Sequence, residues 1–414
     1  MPLTRPHRAV AVAATALVLL TACGTAGDDQ AETEPRTGNW RSVLDDARGQ
    51  TVRWYMYGGD DALNQFVSGV LTDRLAAYDV SVEQVRITDT VDAVNKVLAE
   101  KQAGRDTGGS VDLVWVNGEN FATGKQADLW FCGYDRELPN AGHVDFDDPA
   151  VTHDFGVPVE GCESVWQQAS SALVYDSAAL TAADVESVAS LFAWAERNPG
   201  RFTYPAPPDF TGSMAVRTFL YDEVGGPATL DGLEVAEDAY APAARALWRR
   251  LNDLEPSLWR GGDTYPTSQS DVERLYAGGE IDAFLTYGPG AVGRQVADGV
   301  FPDSTRETVL DVGNIANNSF VAIPYNSEHK AGAMVLANEL LDPATQLALF
   351  EATGAYPAID LETVPSGLRR AFDAVDLGPW VLDLDQLTAD TRPELAAAYI
   401  TRIEADWTRS VLQR

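Results

Sequence analysis

Two polar, glycine-containing loops carry the residue types best suited to gripping a small molecule. Asn117-Gly118-Glu119-Asn120 is a dense cluster of donors and acceptors. Asp209-Phe210-Thr211-Gly212-Ser213 places Thr211 or Ser213 where it would cap a following helix. Free backbone N–H groups at such a helix start bind carboxylate or phosphate well. A third stretch, Tyr57-Gly58-Gly59, permits close backbone approach at the start of another helix. Catalytic and metal patterns are missing. The four histidines (His7, His143, His153, His329) are scattered, and none sits in an HExxH arrangement. There is no GxSxG elbow, and no GxGxxG follows a strand. Gly118 to Gln126 approximates a P-loop, but its spacer is one residue too long and Gln126 replaces Ser or Thr. Ser327-Glu328-His329-Lys330 matches SxxK without SDN or KTG beside it. In so acidic a chain, pairs such as Asp112 and Glu119 carry little information.

The elements needed to position those loops are legible as periodicity. Val111 to Val116 is a β-branched run with an embedded Trp, the mark of a strand buried on both faces. It ends in the first polar loop, and open α/β sheets bind ligands just beyond the carboxyl ends of their strands. Thr51 to Tyr57 and Val80 to Ile87 read as strands, each followed by a helical repeat: Leu63, Phe66, Val67, Val70, Leu71 and Leu75, then Val91, Val94 and Leu98. Asp135 to Pro158 has no periodic element. Trp166 to Tyr175 reads as a strand, Val185 to Asn198 as a helix, and Arg201 to Tyr204 as a short strand feeding the second polar loop. A helix over Leu233 to Leu254 follows. Ser270-Asp271-Val272-Glu273 reads as a capping box, and Ile281 to Tyr287 as a buried strand running into Gly288-Pro289-Gly290. Phe320 to Ile323 is a further strand. Beyond Lys330 the chain reads as almost wholly helical, interrupted at Gly354-Ala355-Tyr356-Pro357. Alternating strands and helices predict an α/β fold of mostly parallel sheets flanked by helices. Two such blocks, roughly 50–160 and 165–285, follow one another without a long linker and predict two lobes sharing a crevice.

Composition narrows the partners. Among 414 residues, 62 are acidic and 30 basic, a formal charge of −32 that repels nucleic acid. The basic head Arg5, His7 and Arg8 precedes an apolar run from Ala9 to Ala22, too short for a bilayer span and suited to a signal peptide. The run ends in Leu20-Thr21-Ala22-Cys23, which resembles the lipobox of bacterial lipoproteins. A diacylglyceryl Cys23 would anchor the chain stably. Gly24 to Gly38 reads as a flexible tether, within a linker running from Cys23 to residue 50. Cys132 and Cys162 form an even pair in an exported chain and predict a disulfide, which would contribute roughly 3–4 kcal/mol.

Taken together, the segments VDLVWVNGENF (111–121), DFGVPVEGCESVW (154–166), GRFTYPAPPDFTGS (200–213), FLTYGPG (284–290) and SFVAIPYNSEHKAGAMVLANELLDPATQ (319–346) resemble the extracytoplasmic solute-binding proteins of ABC importers. The similarity is to the type II periplasmic-binding-protein-like kind, within the Ynj-type branch near the thiamine, polyamine and iron binders. It implies a monomer with two lobes, 51–160 plus about 288–330 and 165–287 plus about 331–414. It further implies capture without catalysis, no cofactor or metal, and delivery of a small solute to ABC permease subunits from the outer face of the cell membrane. By analogy and loop position, the expected ligand-binding residues are Tyr57, Gly58, Gly59, Asn117, Glu119 and Asn120 from one lobe. From the other they are Tyr204, Asp209, Thr211, Gly212, Ser213 and Tyr287. The three tyrosines with Glu119 and Asp209 would form an aromatic, acidic cage for a cation, each ring contact giving about 0.5–2 kcal/mol. The 211–213 helix start would suit an anionic group, so a thiamine phosphate satisfies both; a polyamine needs only the carboxylates. The competing reading is a secreted lipoprotein hydrolase with a carboxylate pair across the cleft.

Overall fold

The computed structural model describes residues 38–414 except 231, 384, 385 and 388. The signal peptide, Cys23 and most of the tether lie outside the described residues. The strands in chain order are β1 (Thr51–Tyr57), β2 (Ser81–Ile87), β3 (Leu113–Val116), β4 (Trp130–Phe131), β5 (His153–Asp154), β6 (Val157–Pro158), β7 (Glu163–Ser170), β8 (Ala172–Asp176), β9 (Ala283–Thr286), β10 (Thr305–Thr308), β11 (Asn314–Pro324) and β12 (Thr391–Arg392).

The first lobe is built on the parallel trio β2-β1-β3, with β11 added antiparallel beside β3 and β7 antiparallel beyond it. Strand alternation decides what each face buries. Val52, Trp54 and Met56 of β1 enter one core, with the Lys330–Leu340 and Pro343–Thr353 helices packed over it. Tyr55 points to the opposite face with Val114 and Val116, under the Thr90–Gln102 and Gly118–Gln126 helices. Both faces are covered, which is why these strands tolerate so few polar residues. A disulfide joins Cys132 to Cys162 in this lobe.

The second lobe has a small sheet in the order β10-β8-β9, with β8 antiparallel to both neighbours. Leu173 and Leu285 face a core shared with the Phe210–Val224, Glu237–Leu254 and Ala397–Trp407 helices, while Val174 and Phe284 face a smaller one on the other side. The chain changes lobe three times. It passes from β7 into β8, back along β11, and again between Leu387 in the first core and Leu395 in the second.

These crossings correct the expected division of the returning chain. Residues 331–372 belong to the first core, and Val292, Val296 and Phe301 belong to the second lobe, the reverse of the lobe boundaries expected from sequence. An apolar helix satisfies either core equally, so its repeat does not say which sheet it covers. Other local differences are smaller. Arg201–Tyr204 forms only a single bridge, Phe202 to Ala283, instead of a strand. The helix at 269 is capped by Ser268, whose side chain accepts from Asp271 N, so Ser270 lies inside it. Among the described residues of 373–396, read as helical, most are irregular, apart from a helical pair at 386–387 and the short strand β12.

Candidate functional site

The two polar loops meet at one crevice. On the first lobe the wall is made by the carboxyl ends of the parallel strands. Tyr57 ends β1, and its hydroxyl lies 3.3 Å from the Ser270 hydroxyl of the second lobe. Gly59 is small for a concrete reason: a Cβ there would sit 2.1 Å from the Tyr57 oxygen. At Gly58 a Cβ would press on the Arg86 stem. After β3, Asn117 donates to the carbonyl of Asn318 at 2.6 Å, tying the loop to β11. Gly118 has φ +61°, a left-handed backbone that favours glycine, and its N–H donates to buried Asp154 at 2.7 Å. Glu119 and half-buried Asn120 then open the Gly118–Gln126 helix.

On the second lobe, Asp209 caps the Phe210–Val224 helix. Its Oδ1 accepts from the N–H groups of Thr211 and Gly212 at 3.1 and 2.9 Å. Thr211 and Ser213, expected as caps, are buried inside the helix. The correction has a chemical consequence: the N–H groups pictured as a phosphate cradle are already occupied by a carboxylate. Gly212 packs on the Pro205 carbonyl, where a Cβ would come within 2.2 Å. Tyr204 is fully buried in the second core, packed on Phe219, Tyr265 and Trp407, and accepts from the Trp407 indole at 3.2 Å. It does not face the crevice.

Between the walls lies a polar network that sequence reasoning missed. Arg217 and Glu394 form an ion pair with side chains 1% and 3% exposed. The guanidinium donates to Glu394 at 2.9 and 3.2 Å, to Ser213 at 2.7 Å and to Tyr287 at 3.0 Å. Tyr287 donates in turn to Glu394, as does Asn317 at 3.0 Å. Ser213 donates to Glu404 of the terminal helix at 2.6 Å. Ser213 and Arg217 sit one turn apart on the same helix, but Tyr287, Asn317, Glu394 and Glu404 lie far from them in the chain, so no local spacing announces the network.

Around the pair stand carboxylates from both lobes. Burial raises the Glu119 carboxyl, and the charges of Asp89 and Glu394 raise it further against the pull of Arg217. Burial also raises Asp209, which Asp89 reinforces against its helix N–H bonds. Glu404 is pushed up to about 7, first by burial and then, against the Ser213 hydrogen bond, by Glu119. At the other end of the crevice, burial raises Tyr57, with Glu273, Asp209 and Asp60 adding to the effect. Arg217, the cation whose charge lowers Glu119 and Glu404, is already paired with Glu394. Among the described residues no group of three His, Cys, Asp or Glu is arranged to hold a metal ion. Two open concavities, about 400 and 440 Å³, lie elsewhere, around Phe192 and Arg249 and around Arg201 and Tyr276.

Two lobes on separate sheets, three crossings and a polar crevice at strand ends define a periplasmic-binding-protein-like architecture. Comparison with known proteins agrees. The family model for bacterial extracellular solute-binding proteins matches residues 72–361. Protein YnjB of Escherichia coli (strain K12) is 35% identical over 375 residues, covering 89% of this chain and 93% of YnjB. Among solved structures, the spermidine/putrescine ABC transporter substrate-binding protein PotD from Streptococcus pneumoniae superposes with a TM-score of 0.60 at 12% identity, covering 88% of this chain and 99% of PotD. A periplasmic thiamin binding protein superposes with a TM-score of 0.56 at 17% identity, covering 87% of this chain and 96% of its own. The chain belongs to the bacterial extracellular solute-binding protein family.

Proposed function

We propose that this protein captures a small cationic solute between its lobes and delivers it, unaltered, to a membrane permease. The observation that carries the charge preference is the convergence of Glu119, Asp209 and Glu404 near Asp89, with the nearby Arg217 already paired with Glu394. A bound cation would relieve this mutual repulsion, and the Tyr287 and Phe210 rings (centroids 5.0 Å apart) offer aromatic surface beside it. Ligand contacts are assigned to Tyr57, Asn117, Glu119, Asn120, Asp209 and Tyr287, with Glu404 added; Tyr204, Thr211, Gly212 and Ser213 are left out as buried, and Gly58 and Gly59 as packing positions. The loss of a free helix start at 211–213 favours a plain cation such as a polyamine over a thiamine phosphate. The lipobox supplies the rest: processing at Cys23 would leave a lipid-anchored monomer on the outer face of the membrane, with the residues after it as a tether.

A thermal-shift screen of polyamines, thiamine and its phosphates, sugars, amino acids and metal ions tests the charge class. A ligand at 100 times its dissociation constant adds about 2.7 kcal/mol of stability. Shifts confined to cations support the reading, and shifts confined to anionic or neutral solutes overturn it. Cys23→Ser should move the chain from the membrane fraction to the medium.

A further inference from the structure

The tip of the β5–β6 hairpin is a first-lobe element seated on the second lobe. Phe155, at the tip, has φ +45°, a region that a residue with a bulky side chain rarely adopts, and is 3% exposed. Its ring centroid lies 6.2 Å from that of Phe210, and the Arg217 guanidinium sits 5.8 Å from it. Its carbonyl accepts from Ala397 N at 3.2 Å, at the start of the terminal helix. Gly156 lies against Ala396 and Leu233, where a Cβ would come within 3.2 and 3.3 Å. Every one of these partners belongs to the second lobe. Asp154 and Gly118, by contrast, fasten the hairpin base to the first.

We infer that Phe155 is an inter-lobe clasp: its ring and carbonyl hold the crevice shut from the rim, so that the hairpin sets the balance between open and closed forms. The strained backbone at Phe155 persists only where surrounding contacts over-determine it, and here the lobes themselves supply part of those contacts. Opening would expose the Phe155 ring, free the Ala397 N–H and uncover the Arg217 guanidinium together. Closing restores all three without touching the solute. The clasp therefore acts on affinity through the fraction of closed protein, whatever the cargo. It goes beyond the transport reading, and its test needs no solute.

The experiment measures a distance between spin labels at exposed sites on the two lobes, one at Asp61 and one at Arg274, in the ligand-free full chain. Three variants are compared with the parent. Phe155→Ala removes the ring. Phe155→Gly removes it while accepting the left-handed backbone, so its fold is not at risk. Phe210→Ala removes the partner ring from the opposite lobe, where it is already 43% exposed. Loss of one aromatic contact should raise the open-to-closed ratio by roughly three- to tenfold, seen as growth of a longer distance in all three variants. Unchanged distance distributions in the Phe155 variants would overturn the proposal, as would a shift in those alone with Phe210→Ala silent. A cargo that proves neutral or anionic would overturn the cation reading and leave the clasp standing.

Discussion

Ser213 donates a 2.6 Å hydrogen bond to Glu404 while accepting one at 2.7 Å from Arg217, so one hydroxyl links the terminal helix to the buried ion pair. Glu404 is held at about 7 by burial and by Glu119 in spite of that hydrogen bond. A free Glu ionises near 4.5, so between about 4.5 and 7 the folded protein holds a proton that the unfolded chain has lost. The ligand-free protein should therefore lose stability as pH rises through that window. A bound cation favours the carboxylate and should expel the proton. Cation affinity is expected to rise from pH 6 to pH 8, with proton release near neutrality. Calorimetry in buffers of different ionisation enthalpy reads this directly, and Glu404→Gln should flatten the pH profile. A profile equally steep in that variant would place the titrating group elsewhere.

Asp209 combines a cap and a charge, and two substitutions separate them. Asp209→Ala removes the acceptor for Thr211 and Gly212 N–H, with an expected loss of about 0.5–2 kcal/mol in chemical denaturation. Asp209→Asn keeps a good capping side chain but no charge. It should stay near parental stability while weakening a cationic solute. Parental affinity in Asp209→Asn would leave Asp209 a cap alone.

The parts legible in the sequence are those set by local periodicity. Val52, Trp54 and Met56 alternate with Arg53 and Tyr55, a period of two that marks a strand with one face in a core; the cover over Tyr55 on the other face is visible only in the fold. The paired polar loops were legible because both follow buried segments. Which of Asp209, Thr211 and Ser213 caps the helix was not, because all three side chains can cap and only the phase of the helix chooses. The same ambiguity of phase, here two residues, separates the expected cap Ser270 from the actual cap Ser268, and leaves the Ser270 hydroxyl near Tyr57. Arg217, Glu394 and Glu404 were out of reach for another reason. Their chemistry exists only after chain segments about 180 residues apart fold together.

Tyr204 tests the difference between a tyrosine in a core and one in a cage. Its ring touches Phe219, Tyr265 and Trp407, and its oxygen accepts the Trp407 indole N–H. Tyr204→Phe should leave solute affinity unchanged and cost about 1 kcal/mol, the indole losing its acceptor. Weaker binding without loss of stability would return Tyr204 to the site.

Arg217 and Glu394 make the sharpest stability test, because neither side chain reaches water. Removing the arginine alone strands a buried carboxylate that keeps hydrogen bonds from Tyr287 and Asn317. Arg217→Met should cost about 3–5 kcal/mol, read as a lower urea midpoint at unchanged slope. Adding Glu394→Gln removes the stranded charge while keeping an acceptor for Tyr287, so the double variant should recover much of the loss. A buried pair is costly to break and cheap to replace whole, since each ion's desolvation is compensated only by the other. Equal losses in the single and double variants would mean that the carboxylate is not what burial penalises, and that Arg217 acts through its contacts with Ser213 and Tyr287.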